Sequence, residues 1–130
     1  MKKIAVSPSI MCADLVNLEK SIREIEEIGV DSLHIDIIDS SFSPSMPLGI
    51  DTVKKIRSMT SMKFDVHIMS MNNELFIQEI INIGAESITF HYESSLHIDR
   101  FINLIKKSGA KVGVALNPAT SLSVLEYILP

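Results

Sequence analysis

Six ionisable side chains fall into three pairs, each with one residue between: His34 and Asp36, Asp65 and His67, His91 and Glu93. In an extended strand, residues i and i+2 share a face, so each pair turns both of its polar groups the same way. Neighbouring strands lie about 4.8 Å apart, which brings His34, Asp36 and His67 within reach of one common point if their strands are adjacent. Two imidazoles and one carboxylate suit a single divalent cation, whether Zn²⁺, Fe²⁺, Mn²⁺ or Co²⁺. The bland alternative is three polar strand ends, each satisfied separately. Burying three titratable groups with neither a cation nor partners would cost several kcal/mol, which weighs against it.

The elements that must position these residues are legible from periodicity. Apolar runs rich in β-branched residues recur at 4–9, 32–38, 63–69, 87–91 and 111–116, and are expected to form five strands. Between them lie helical stripes. Leu15, Leu18, Ile22, Ile25 and Ile28 share one face, while Glu19, Lys20, Glu24 and Glu27 take the other. Gly29, Gly84 and Gly109 each stand just before the next strand, where a left-handed residue ends a helix. Residues 121–129 are expected to form a fifth helix. Strand starts about 24 to 31 residues apart match one βα unit with short loops, which gives a parallel α/β sheet.

Five such units fit either a doubly wound open sheet or the first part of a (β/α)8 barrel of about 200 to 250 residues. The turn Ser7-Pro8-Ser9-Ile10-Met11-Cys12 contains no glycine, unlike the phosphate-binding turn after the first strand of a Rossmann or P-loop protein. Ionisable residues instead gather at the carboxyl ends of successive strands, where barrels carry their chemistry. Residues 1–130 therefore read as the N-terminal portion of a single (β/α)8 TIM-barrel domain, with no second domain.

Composition bounds the partners. With 12 basic against 16 acidic side chains, a net charge of −4 and no Lys/Arg cluster, neither a nucleic acid nor an anionic membrane is an expected partner. No apolar run approaches the roughly 18 residues of a membrane span. Met1-Lys2-Lys3 leads into only a few apolar residues before Pro8, unlike a secretory signal. The single Cys12 cannot form an internal disulfide and reads as a spectator thiol, so a reducing, cytoplasmic setting is expected. His97 falls at a helix start and reads as solvated, and Asn117-Pro118 reads as turn chemistry.

Five strings stand in order along the chain: Ser7-Pro8-Ser9-Ile10; His34-Ile35-Asp36-Ile37-Ile38-Asp39; Asp65-Val66-His67-Ile68-Met69; Thr89-Phe90-His91-Tyr92-Glu93 after Gly84-Ala85; and Leu116-Asn117-Pro118-Ala119-Thr120. In order and spacing they resemble the ribulose-phosphate 3-epimerase family. The resemblance implies a metal-dependent isomerase that interconverts ribulose 5-phosphate and xylulose 5-phosphate, with a sugar phosphate as substrate and a homo-oligomer as the working state. It implies His34, Asp36 and His67 as ligands of one divalent metal ion, Asp36 as a catalytic acid/base carboxylate, and Ser9, His67 and Met69 as substrate contacts. His91 is a candidate for orienting a ligand from behind. The proposed chemistry suits this set. A proton next to a ketone is weakly acidic, so its removal through an enediolate needs a base, a cation to hold negative charge and an acid on the far face.

The same strings fit the related allulose-6-phosphate 3-epimerases, and a catalytically inactive truncated barrel serving as a metal-binding or assembly module is a further alternative. Two departures from the family pattern stand out. Where the family carries Met-Asp-Gly-His-Phe-Val-Pro-Asn, this chain reads Ile38-Asp39-Ser40-Ser41-Phe42-Ser43-Pro44-Ser45. Strands six to eight are also absent from these residues, and with them the positions that match the family's second catalytic carboxylate and its phosphate-holding loops.

Overall fold

The computed structural model describes residues 4–129. Met1, Lys2, Lys3 and Pro130, on which the expectations about the chain's ends rest, lie outside the described residues. Among those described, four parallel strands alternate with helices. They are α1 (Leu18–Ile28), β1 (Leu33–Ile38), α2 (Ile50–Met59), β2 (Phe64–Met69), α3 (Asn73–Ile83), β3 (Ser87–His91), α4 (Ile98–Ser108) and β4 (Lys111–Ala115). The sheet order is β1-β2-β3-β4, each strand beside its neighbour in sequence. A doubly wound sheet reverses its order at a switch point. This one never does, and its helices all pack on one face, as consecutive right-handed crossovers require.

That face holds the core. Leu33, Ile35, Phe64, Val66, Ile68, Ile88 and Phe90 from the strands are fully buried against Ile22, Val53, Ile77, Ile80 and Ile105 from the helices. Burial in β2 alternates strictly, with Phe64, Val66 and Ile68 covered and Asp65, His67 and Met69 half-covered on the opposite face. The polar positions thus line the side of the sheet away from the helices. Asp36, His67, Thr89 and Gly113 form one register row across all four strands on that side. A side chain at 113 would collide with Thr89 Oγ1, so the row narrows to a glycine where β3 and β4 approach.

Three helices stop where sequence placed the stop. Gly29, Gly84 and Gly109 sit at φ of 78°, 82° and 89°, the left-handed region that a side chain disfavours. Other expectations need correction. Residues 4–9 form no regular strand. Only Ser9 bridges His34, supported by the His34 N–H donating to the Pro8 carbonyl at 2.9 Å and the Asp31 N–H donating to that of Val6 at 3.0 Å. Pro8 has no N–H to contribute to a ladder, which interrupts the pairing. The first helical stripe is also shorter than expected. Leu15 precedes α1, and Ile28 at its end is 76% exposed. Residues 121–129 form a short 3₁₀ turn, Leu122–Leu125, rather than a helix. A segment that short is not held helical without tertiary packing, and Leu122, Tyr127 and Leu129 stay exposed.

Candidate functional site

Asp36 is the centre of the polar face. It lies on β1 one residue before the fully covered pair Ile37 and Ile38, and only 7% of it is exposed. Its Oδ1 lies 3.2 Å from His34 Nε2 and 3.6 Å from His67 Nδ1. Its Oδ2 accepts a hydrogen bond from Ser9 Oγ at 2.6 Å. The single bridge that ties residue 9 to β1 is therefore what delivers Ser9 to the site. His34, Asp36 and His67 each offer a ligand atom within 4.8 Å of the others, a spacing and a donor set that fit one divalent cation.

The electrostatics follow from this crowding. Hydrogen bonding to Asp36 holds the His34 imidazolium up to about 9, against the cost of burial and with Asp65 adding to the effect. Bonds from His34 and then His67 hold the Asp36 carboxyl well below the usual carboxylate range, outweighing its burial. Asp65, from the neighbouring strand, closes one flank. Its Oδ2 lies 2.9 Å from His34 Nδ1, the ring nitrogen that faces away from Asp36.

The other flank is a chain of contacts that begins at His91, the residue expected to orient a ligand from behind, and runs further than sequence indicated. His67 Nε2 lies 2.9 Å from His91 Nε2, and His91 Nδ1 lies 3.3 Å from Glu93 Oε2. Glu93 Oε1 accepts the Asn117 N–H at 2.6 Å and the Thr120 hydroxyl. Burial pushes Glu93 up, but the Thr120 and Asn117 bonds prevail and hold it at about 2. Burial pushes His91 down, with Glu93 as a partial counterweight. Asn117, read from sequence as turn chemistry alone, both makes a turn and anchors this carboxylate. The alternation His91-Tyr92-Glu93 was the signal available for the pairing, but nothing local pointed to Thr120.

Met69 ends β2 opposite Ile38, on the same face as His67 and half-buried. Cys12 is exposed in a 3₁₀ turn, and His97 is exposed where α4 begins. The loop after β1 reaches back over the site, with the Phe42 ring centroid 4.6 Å from that of His91. In this loop Ser40 takes φ of 65°, alone among the described non-glycine residues in the left-handed region. It stands where the resemblance places a glycine. Asp39 Oδ1 accepts the Ser41 N–H at 3.0 Å and Ser41 Oγ at 2.6 Å, Asp39 Oδ2 accepts Ser70 Oγ at 2.6 Å, and Ser41 Oγ accepts the Met71 N–H at 2.9 Å. These bonds hold the loop in a conformation that costs a serine about 1–2 kcal/mol. Ser40→Gly should raise stability by about 1 kcal/mol, read as a higher urea midpoint at unchanged slope. A lower midpoint would show that the serine side chain supplies more than the strain removes.

A singly wound parallel α/β sheet with a His-Asp-His cluster on the helix-free face of its first two strands defines the class, a metal-suited barrel-type site. The chain matches the Ribulose-phosphate 3 epimerase family over residues 5–130, and it belongs to that family. Its sheet and alternating helices are accordingly the α/β arrangement of a partial (β/α)8 barrel. Among similar proteins is the chloroplastic ribulose-5-phosphate-3-epimerase of Arabidopsis thaliana, 39% identical over 97% of this chain and 46% of that protein. The ribulose-phosphate 3-epimerase of Methanocaldococcus jannaschii is 42% identical over 97% of this chain and 53% of its own length. That of Escherichia coli is 35% identical over 99% and 58%. The chain spans about half the length of the curated relatives it matches. Among the described residues, no helix is long and apolar enough to cross a membrane.

Proposed function

We propose that residues 1–130 are the N-terminal portion of a single (β/α)8 barrel domain and carry the cation-holding half of a sugar-phosphate 3-epimerase site. The substrate is ribulose 5-phosphate, interconverted with xylulose 5-phosphate, in keeping with the names of the similar proteins. The observation that carries this reading is the approach of His34 Nε2 and His67 Nδ1 to one oxygen of Asp36. His34, Asp36 and His67 would hold one divalent cation, of zinc, iron, manganese or cobalt. Such a cation, when bound, stabilises negative charge as it develops on the substrate's oxygens.

Asp36 is the base in this reading. Held ionised by its neighbours, it takes the proton from the carbon beside the ketone, while Ser9 donates a hydrogen bond to the carboxylate and, by the resemblance, contacts the substrate. Met69 forms an apolar wall that keeps water from the reacting carbon. By the resemblance, the acid on the opposite face belongs to strands outside these 130 residues.

Two measurements test the reading. Zn²⁺ retained after dialysis should fall from one equivalent in the parent to background in the His34→Ala/His67→Ala double variant. Unchanged stoichiometry there would sink the cation site. A chain carried to the full length of its relatives should exchange the C3 proton of ribulose 5-phosphate for solvent deuterium, and the absence of exchange would remove the epimerase assignment.

A further inference from the structure

The chain has five phenylalanines, and four of them, Phe64, Phe76, Phe90 and Phe101, lie in the core or pack against it. Phe42 does not. It sits half-buried in the loop after β1, with its ring against the imidazole of His91. The two centroids are 4.6 Å apart and the planes inclined by 43°, within the span of about 4.5–7 Å over which aromatic rings attract. His91 in turn links Phe42 to the cation cluster. Its Nε2 lies 2.9 Å from His67 Nε2, with 5.0 Å between the ring centroids, and its Nδ1 meets Glu93 at 3.3 Å. That last contact is long for a hydrogen bond. Contacts at the two nitrogens alone leave an imidazole free to rock about the line joining them. A second ring packed against it removes that freedom.

We propose that Phe42 is a positioning residue, which packs against His91 and through it holds the His67 ring with Nδ1 turned to Asp36. The loop that carries Phe42 is tied down on both sides of it. Asp39 accepts the Ser41 and Ser70 hydroxyls, each at 2.6 Å, and Ser41 Oγ accepts the Met71 N–H at 2.9 Å, which joins this loop to the one after β2. Beyond Phe42, the Ser45 N–H donates to the Ser43 carbonyl at 2.8 Å and the Ser40 N–H to that of Ser45 at 3.1 Å, so the turn closes on itself. The left-handed Ser40 is the conformation these bonds enforce. Fixed in this way, the loop brings an aromatic ring to His91 that no strand of the sheet supplies. The proposal rests on the cation-site reading for its purpose, but the packing it invokes is a property of the metal-free chain.

Phe42→Ala removes the ring and leaves every partner of the loop's hydrogen bonds in place. Zn²⁺ affinity should fall about 2- to 10-fold, the equilibrium counterpart of one aromatic pair, with the circular dichroism unchanged. Phe42→Tyr keeps the ring and should restore parental affinity. A second readout needs no metal. In solid-state spectra of metal-free, histidine-labelled protein at one fixed pH, the ring signals of His91 and His67 should move in F42A while those of His97 stay. His67→Asn and His91→Asn assign them among the four histidines. A merely structural role would lower the urea midpoint and leave Zn²⁺ affinity alone. Parental affinity in F42A, or His67 signals that do not move, would overturn the proposal. If the parent binds no Zn²⁺, the cation reading fails while the His67 signals still decide the packing. If F42A does not fold, Phe42→Leu, which keeps apolar volume without a ring, takes its place with the same expected loss.

Discussion

Asp36→Asn is expected to lower epimerisation by more than about a hundredfold in a chain carried to the full length of its relatives, while leaving the fold intact. The asparagine matches the carboxylate in shape but is neither a useful base nor an anionic ligand. Both oxygens of Asp36 are engaged in the native site, one toward His34 and His67 and the other by Ser9 Oγ. The neutral amide therefore loses the proton acceptor and weakens the cation site in one change. Folding should be spared because the surrounding strand is secured by Ile35 and Ile37, which pack on the helix side of the sheet. The check is the rate of solvent deuterium incorporation at C3, alongside Zn²⁺ titration and the urea midpoint. A rate loss smaller than about a hundredfold, with the midpoint unchanged, would place the base on another residue.

A polypeptide limited to these 130 residues is expected to associate and to leave ribulose 5-phosphate unchanged. Association follows from the sheet. Among the described residues β4 pairs only with β3, so its outer row of N–H and C=O groups is open to another chain. Its residues Val112 to Ala115 are only half-covered, and Leu122, Tyr127 and Leu129 beyond it are exposed at 76%, 94% and 64%. Lack of turnover follows from the chemistry proposed above. One carboxylate cannot both remove a proton from one face and return it to the other, and without the phosphate-holding loops the sugar is not kept in register. Light scattering and a ribulose 5-phosphate assay of the same preparation check both parts. A monodisperse 14.4 kDa monomer that turns over substrate would overturn the prediction and require a different pair of acid/base groups.

The spacing of residues along the chain determined a good deal. The i, i+2 pairs at 34 and 36 and at 65 and 67, the strand runs near them and the three glycine stops were all readable. Each is a property of a few neighbouring residues: alternation puts two side chains on one face of a strand, and a left-handed residue ends a helix wherever it stands. Tertiary structure decided the rest. That residues 4–9 contribute one bridge and not a strand depended on Pro8 meeting β1 without an N–H to donate. That 121–129 form a 3₁₀ turn depended on how little apolar surface was on hand to cover them. Above all, which nitrogen of His34 and of His67 faces Asp36 was invisible in the sequence. The other nitrogen of His34 meets Asp65 across the sheet and that of His67 meets His91, backed by Glu93, whose own partners Asn117 and Thr120 lie 24 and 27 residues further on. Local periodicity assigns a side chain to a face, but only the register of packed strands and the loops that join them assigns its atoms to partners that far away.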